Sequence, residues 1–442
     1  MSAATSTPAP CLSNATSPGS LRNDALARAN APPEHAPLAI LGGGPIGLVS
    51  ALLLARNGFS CELVDARPIE ALRRDRRLLA LSRGTLQVLE SLVGPGFAPM
   101  GTIERVRVSS RGELGAVQLG AQDFGGIALG ATVWYSDLVD ALERAARDQA
   151  SIRVQRPRRV LRVLQKIDRV EVRLDEGSVL ECALAIDAEG SPTQVREPQH
   201  YALLADLELS GLRQGDAVER FTREGPLALL PLPGTTSNGT TRSRSATVPA
   251  QRSGRLRADG RGSEHTGSIR MSMIWCLPAA LAQARMGLAD SELRVQIAQA
   301  LGPRIGAPTA IAARSVFPLA MHRLDRVSEH RLVHLGNAAQ SLHPVAGQGF
   351  NLGIRDCVCL VDALVETRAR QDVDPLRALA GYGARRRMDR TLFPAFTSAL
   401  PRLFSSSFVP LVAARSAALL TLDLMPGLRR EFTRLLMFGA PR

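Results

Sequence analysis

The stretch "PLAILGGGPIGLVSALLLARNGFSCELVDAR", residues 37–67, decides the fold. Leu38 to Leu41 is a short apolar run, glycines follow, and a helical pattern runs from Pro45 to Asn57 until Gly58 ends it. Cys61 to Val64 then reads as a second strand. The whole is a βαβ unit of roughly the 30 residues that a dinucleotide-binding fold uses. Gly42, Gly44 and Gly47 fall in the spacing G-x-G-x-x-G. Gly42 permits the tight turn, Gly44 lets backbone approach a pyrophosphate, and Gly47 lets helix and strand pack closely. The helix N-terminus offers N–H donors and positive potential to phosphates. Asp65, closing the second strand, is placed to accept from ribose hydroxyls. The glycine spacing alone also occurs in ordinary turns; the strand, the helix and the acid at the expected distances select the dinucleotide reading.

The chain has 442 residues, 45% hydrophobic and 21% charged, enough for a substantial core and two domains. Six cysteines (Cys11, Cys61, Cys182, Cys276, Cys357, Cys359) are too scattered for a disulfide framework, and no pair has metal-ligand spacing, so no metal is expected. Reduced thiols in a cytoplasmic setting are the simplest reading. The formal charge is +13, carried by arginine, with Lys166 the sole lysine. Aromatics are 4% and no nucleic-acid motif is present, so nucleic acid is not expected as a partner. The charge suits an anionic membrane or an acidic partner, and equally an arginine-rich solvated surface. Residues 1–36 read as a disordered leader rather than a signal peptide. No run approaches the roughly 18 uninterrupted apolar residues of a membrane span. A cytoplasmic protein, soluble or peripherally membrane-associated, is expected.

Beyond the opening unit, a helix is expected near Thr85 to Leu92 and antiparallel strands from Thr102 to Leu119. An amphipathic helix covers Ser136 to Asp148, and strands return in "VLRVLQKIDRVEVRL", "LECALAIDA" and "GPLALLPLP". Residues 235–267 show no periodicity and hold six arginines against two acids, which reads as a disordered insertion. "IRMSMIWCL" resumes the sheet, and after Asn351 the chain is mostly helical. The cluster Arg385, Arg386, Arg387 and Arg390 reads as a solvated helix face.

The glycine fingerprint cannot separate FAD from NAD, but no second fingerprint follows a strand. A second segment, "LGNAAQSLHPVAGQGFNLGIRDCVCL" (Leu335 to Leu360), makes no sense in a simple dehydrogenase. Its "HPVAGQGFN" would bring flexible backbone against a flat ligand and end at a helix starting at Leu352. Such a helix start can stabilise negative charge at the pyrimidine edge of a reduced flavin.

This segment resembles the third motif of the class A flavoprotein aromatic hydroxylases. More narrowly it is similar to the ubiquinone-biosynthesis hydroxylases of the UbiH/UbiF/VisC group, which carry GNAAQ-x-LHP-x-AGQGFNLG; Gly336-Asn337 follows the UbiH branch where the wider family has Gly-Asp. "DRRLLALSRGT", "ERFTREGPLALLPL", "FPLAMH" and the C-terminal tail also resemble that branch, which acts on a 2-polyprenyl-6-methoxyphenol. "DAEGSPTQVR" occupies the place of the family's A-D-G-x-x-S-x-x-R, with Glu189 for the usual Asp and Thr193 for the usual Ser.

The resemblance implies an α/β fold: a FAD-binding Rossmann-like domain of the glutathione-reductase type, an inserted mixed β-sheet substrate domain and a helical C-terminus. The expected FAD domain is discontinuous (37–100, 125–200, 318–390), the substrate domain comprises 101–124 and 201–317, and 391–442 forms the C-terminal segment. Asn337, Pro344, Gly347, Gly349 and Asn351 inherit contact with the ribityl chain and flavin ring, Arg77 the arginine that reaches the flavin, and Glu189 its place in the second motif. The implied reaction is ring hydroxylation of a polyprenylated phenol, with NADH or NADPH as reductant, O2, and a flavin C4a-hydroperoxide kept dry. A paralogous hydroxylase acting at another ring position or on another lipophilic aromatic, or a non-catalytic flavoprotein subunit of a biosynthetic complex, is the alternative. His343 is the candidate catalytic residue, placed to orient substrate or relay a phenolic proton, or else a hydrogen-bonded loop residue. The apolar patches from Phe404 to Met425 read as helices on the flavin domain or on another subunit, or as a peripheral contact through which a polyprenyl chain leaves a bilayer.

Overall fold

The computed structural model describes residues 37–190, 198, 200–234, 268–342, 347–370 and 374–439. The expected leader, the insertion at 235–267, Thr193, His343 and Pro344 lie outside the described residues. Leu38–Leu41 is buried along its whole length, as a parallel strand is when both faces are covered. It pairs in parallel with Cys61–Val64 on one side and Ala185–Asp187 on the other. The sheet continues, still parallel, to Ile152–Gln155 and Leu332–His334, with Ser328–Glu329 antiparallel at one edge. Because side chains alternate along a strand, Leu38 and Ile40 enter the main core with helices Pro45–Arg56, Tyr135–Arg147 and Gln348–Ala369. Ala39 and Leu41 turn the other way, against the antiparallel strands Val160–Gln165, Val170–Leu174 and Val179–Cys182.

A seven-stranded sheet forms a second body, in the spatial order Ala310–Pro318, His200–Leu209, Ile269–Pro278, Gly225–Pro231, Asp216–Thr222, Arg105–Ser110, Ala116–Gly120. Asp216–Thr222 and Arg105–Ser110 run parallel; the other neighbours are antiparallel. Leu203, Leu229, Met273 and Trp275 project to one face, where helices Ala279–Met286 and Asp290–Leu301 cover them. Residues one step along each strand, among them Leu204, Ile274, Ala228, Ala217 and Val106, project to the other face and line a cavity.

Two sequence expectations need correction. The helix expected from Leu352 begins at Gln348, because Gly347 adopts a left-handed φ of 60° as its N-cap and turns the chain directly into the helix. Gly349 and Asn351, read as loop residues, therefore belong to its first turn. The arginine cluster is not a solvated face: Arg386 and Arg390 are buried, while Arg385 and Arg387 are exposed.

Arg386 lies on the helix Pro375–Ser405, which runs unbroken through residue 390. Its Nε donates to Asp356 Oδ1 at 2.6 Å and its Nη1 pairs with Asp389. Asp356 Oδ2 in turn accepts from the Gly336 N–H at 3.1 Å. One buried guanidinium thus joins the two long helices and, through Asp356, the Gly336 turn. Removing one partner of such a pair strands a buried charge, so Arg386→Leu should destabilise the protein by about 3–5 kcal/mol. Thermal unfolding followed by circular dichroism measures this; an unchanged midpoint would refute the junction's role.

Candidate functional site

The first glycine turn is tied to the neighbouring strand end. Ala188 N–H donates to Leu41 O at 2.7 Å, and Gly42, at φ 100°, approaches so closely that a Cβ would sit 2.5 Å from Ala188 O. A Cβ on Gly47 would overlap the Gly42 carbonyl oxygen, so helix and turn meet backbone on backbone. Gly44 is the N-cap of the helix starting at Pro45; no side chain caps it and no acid lies in its first turn. The N–H groups and dipole of this helix end therefore face the space beside Gly44, which the Tyr135 hydroxyl and the Arg67 guanidinium also border.

Asp65 is buried behind this space and anchors Arg67 at its border. Its Oδ2 accepts from Gly43 N–H at 2.7 Å and its Oδ1 from Arg67 N–H at 2.7 Å. The Arg67 side chain adds Nε–Oδ1 at 3.1 Å and Nη2–Oδ2 at 3.0 Å. Burial alone would push the Asp65 pKa up, but the hydrogen bonds from Arg67 and Gly43, with the Arg67 charge, outweigh it and hold the carboxyl below its ordinary value. Behind it, buried Arg156 donates to Gly43 O at 2.7 Å and to Glu143 Oε2 at 2.8 Å, with Nη1 3.7 Å from Asp65. Neither Arg67 nor Arg156 is marked by the glycine fingerprint. The acid-x-Arg spacing at Asp65 was a usable signal for Arg67; Arg156 comes from a distant strand end and had none.

The second segment is held by Asn351. Its Nδ2 donates to Ala80 O at 3.0 Å and to Gly347 O at 2.9 Å, and its Oδ1 accepts from Ser82 N–H at 2.9 Å. The structure thus places Asn351 as a clamp between the strand Leu78–Ser82 and the helix start. A Cβ on Gly347 would lie 2.9 Å from the Ala80 Cβ, whereas one on Gly349 would enter open space. Asn337 lies in the turn Gly336–Ala338 and lines the cavity, as do Gly347, Gly349 and Asn351. Gln348, also in the cavity wall, is buried with its Oε1 lacking a partner among the described residues.

Arg77 lines the same cavity, but its guanidinium pairs with Asp75 at 2.6 Å and stacks 4.8 Å from the Tyr135 ring centroid. Glu189 sits beside Gly42, its pKa raised by burial and then by the nearby carboxylates of Asp187 and Asp65. No group of three or more His, Cys, Asp or Glu suited to a metal occurs among the described residues. Burial pushes the thiols of Cys61, Cys182 and Cys357 up to about 12, so they are not thiolates at neutral pH.

A single cavity of about 2530 Å³ connects Gly44, Arg67, Asn337 and Gly349. An open backbone cradle at Gly44, an uncapped helix end, an ionised carboxylate beside it and an unpartnered Gln348 oxygen further along suit an extended dinucleotide carrying a polar ring system.

Comparison with other proteins agrees with this geometry. Residues 35–206 and 248–387 match the family described as FAD binding domain. The chain is 29% identical over 416 residues to ubiquinone hydroxylase UbiL of Rhodospirillum rubrum, covering 89% of this chain and 88% of that protein. It is 26% identical over 411 residues to 3-demethoxyubiquinol 3-hydroxylase of Escherichia coli, covering 89% and 96%. Among solved structures, PqsL, a probable FAD-dependent monooxygenase from Pseudomonas aeruginosa, shares the fold with a TM-score of 0.65 at 20% identity, covering 88% of this chain and 100% of that one. Klebsiella pneumoniae HpxO complexed with FAD and uric acid does so with a TM-score of 0.61 at 18% identity, covering 92% and 97%.

Asp65→Asn keeps the shape and removes the charge. It should raise the Kd for FAD roughly 10- to 100-fold, the worth of a hydrogen bond to a charged acceptor, as read by flavin fluorescence quenching on apoprotein. Because its folded pKa is lowered, Asp65 stabilises the fold fully above the ordinary aspartate value of about 3.9 and loses that contribution as pH falls through the depressed value. The stability gap between wild-type and Asp65→Asn apoprotein should therefore narrow on acidification; a gap that widened would refute the assignment.

Proposed function

The chain belongs to the FAD binding domain family, and from that premise and its likeness to ubiquinone hydroxylases we propose that it is a FAD-dependent monooxygenase of the class A aromatic-hydroxylase group that hydroxylates the ring of a polyprenylated phenol in ubiquinone biosynthesis, in the manner of UbiH. The observation that carries this reading is the joining of the Gly44 cradle and the Gln348 helix start in one cavity whose far wall is a β-sheet. Bound FAD, reduced by NADH or NADPH, supplies the activation of O2 and the transfer of one oxygen atom to an electron-rich ring.

The protein's own residues bind, orient and exclude water. Asp65, held ionised by Gly43 and Arg67, is the proposed acceptor for the ribose hydroxyls, which would take the place of the Arg67 side chain that occupies the carboxylate in this structure. The Gly44 helix end receives the pyrophosphate, and Glu189 and Arg77 border it from the wall. The Asn351 clamp fixes the Gln348 helix start, whose N-cap carries no side-chain hydrogen bond and whose first turn holds no acid. Its free N–H groups favour negative charge on the pyrimidine edge of the ring system. Asn337, Pro344, Gly347 and Gly349 are the proposed backbone and side-chain contacts of that ring. His343 is the proposed group for orienting the phenol or relaying its proton. In this reading the parallel-sheet unit holds the cofactor and the seven-stranded sheet faces the substrate.

No single helix among the described residues is long and apolar enough to cross a membrane. The Val409–Leu424 and Pro426–Phe438 helices, bent by 99°, nevertheless leave Phe408, Val409, Leu424, Met425 and Leu428 exposed. Leu424, Met425 and Leu428 form an apolar corner at the bend, and Phe408 and Val409 an apolar tip at the far end of the first helix; with Arg430 and Arg434 exposed nearby in sequence, the two suit a peripheral contact with an anionic bilayer along that helix. The double change Phe408→Glu, Leu424→Glu should weaken co-flotation with anionic vesicles by about 10-fold or more while flavin content is kept.

The reaction is tested with purified holoenzyme, NAD(P)H, a polyprenylated phenol and isotopically labelled dioxygen. Product carrying one labelled oxygen is expected. NAD(P)H oxidation that yields hydrogen peroxide and no labelled phenol would overturn the assignment.

A further inference from the structure

The cavity is larger than a flavin and a phenolic ring need. At about 2530 Å³ it is more than twice the upper end of the roughly 300–1,000 Å³ common for small-molecule sites. Besides the Gly44 and Gln348 regions, its wall is formed by the strands Arg105–Ser110, Ala116–Gly120 and Asp216–Thr222 and by the C-terminal helices.

The strand register explains the lining. Val106 stands opposite Leu119 and Ala217, and Val108 opposite Val117 and Glu219, so one sheet face presents a nearly continuous aliphatic surface. Glu219, on the same face, is buried and engaged with a partner. In the facing wall, Leu411, Ala414, Ala418 and Leu422 recur at the spacing of one helix face, and Leu422 with Leu419 packs onto the Val117 and Leu119 cluster, closing that end of this arm of the cavity. Two alanines in that row leave room that larger side chains would fill.

The helices and the sheet are tied together at fixed points beside the arm. Phe404 stacks on Phe221 with centroids 4.0 Å apart, bridging helix and sheet. Buried Arg415 pairs with Glu113 in the turn between Arg105–Ser110 and Ala116–Gly120, Nε to Oε2 at 2.6 Å, and donates to the Leu403 and Ser406 carbonyls. These staples consume the charge of Arg415 within the protein, so the arm between them offers apolar surface rather than an anion site.

We propose that this arm is the slot for the isoprenoid tail of the substrate, with its wall at Ala414, Ala418 and Leu422 setting how much tail is accommodated. A flexible aliphatic chain attached to a ring at the flavin fits an apolar arm continuous with the ring site. The inference rests on the polyprenylated-phenol reading above and adds where the tail lies.

The test compares two phenols, one bearing a single isoprene unit and one bearing a long polyprenyl chain, on wild-type holoenzyme and on Ala418→Trp. The variant should lose about 30-fold or more in kcat/KM on the long-tailed phenol and stay within about 3-fold of wild type on the short one, since the lost contacts belong to the tail. Flavin content and Tm are measured alongside; should Ala418→Trp fail to fold, Ala414→Leu is read in the same way. A variant that treats both phenols as wild type does, or loses both equally, overturns the slot while leaving the hydroxylase reading intact. A wild-type enzyme that hydroxylates neither phenol overturns that reading, and the slot with it.

Discussion

Backbone meets backbone where the first helix leaves the central strand, and the site is built outward from that contact. No side chain fits between Gly47 and the Gly42 carbonyl, or between Gly42 and Ala188. Packing this close brings the positive end of the Pro45–Arg56 helix to the end of the sheet, beside the carboxylate of Asp65. Any Cβ here would lever the helix away from the strand and move every donor at its tip. The rest of the sheet follows the usual rule for parallel strands: ligands bind beyond their carboxyl ends, where Gly42, Asp65 and Ala188 all lie.

A second theme is how arginine is used. A net charge of +13 reads as a signal for an external anionic partner, yet several arginines are matched inside the fold. Arg156 links Gly43 and Glu143, Arg386 links Asp356 and Asp389, and Arg415 links Glu113 to two carbonyls. Each joins segments that are far apart in sequence, and each uses several N–H groups at once. A lysine ammonium could not span these partners in one plane, which gives a structural reason for a chain with a single lysine to rely on arginine at its junctions.

The parts of the fold legible in sequence are those set by local rules. Strand, glycine turn and helix over residues 38–64 follow from neighbours within a few positions, and Arg105–Ser110 with Ala116–Gly120 follow from alternation. Boundaries set by conformation rather than pattern were harder: the helix at Gln348 starts at a left-handed glycine, and a run of glycines does not say which one turns. Tertiary partners were not legible at all. Asn351 reads as a ligand contact in a glycine-rich motif, and only its distances to Ala80 and Ser82 reveal the clamp. Arg386 looked solvated because its neighbours are charged; Asp356, on another helix, buries it. The stacking of Phe221 on Phe404 joins residues with no common sequence pattern.

The two faces of the seven-stranded sheet carry different duties, and the difference bears on chemistry. On one face, large side chains such as Trp275, Met273 and Leu229 are sealed by two helices, giving the rigidity of a close-packed core. The opposite face is left open to the cavity, with Asp206, Arg270 and Ser272 on the central strands and aliphatic residues on the outer ones. Burial raises the Asp206 pKa against the opposing pull of Arg270, and these two with Ser272 form the polar part of that wall. A ring held between such a wall and a helix N-terminus has polar groups at one end and hydrocarbon at the other. Filling the hydrocarbon end displaces water from the region where oxygen transfer must stay dry. On the proposed function, an apolar tail would serve the reaction as well as recognition, because the group that identifies the substrate would also close the cavity to solvent.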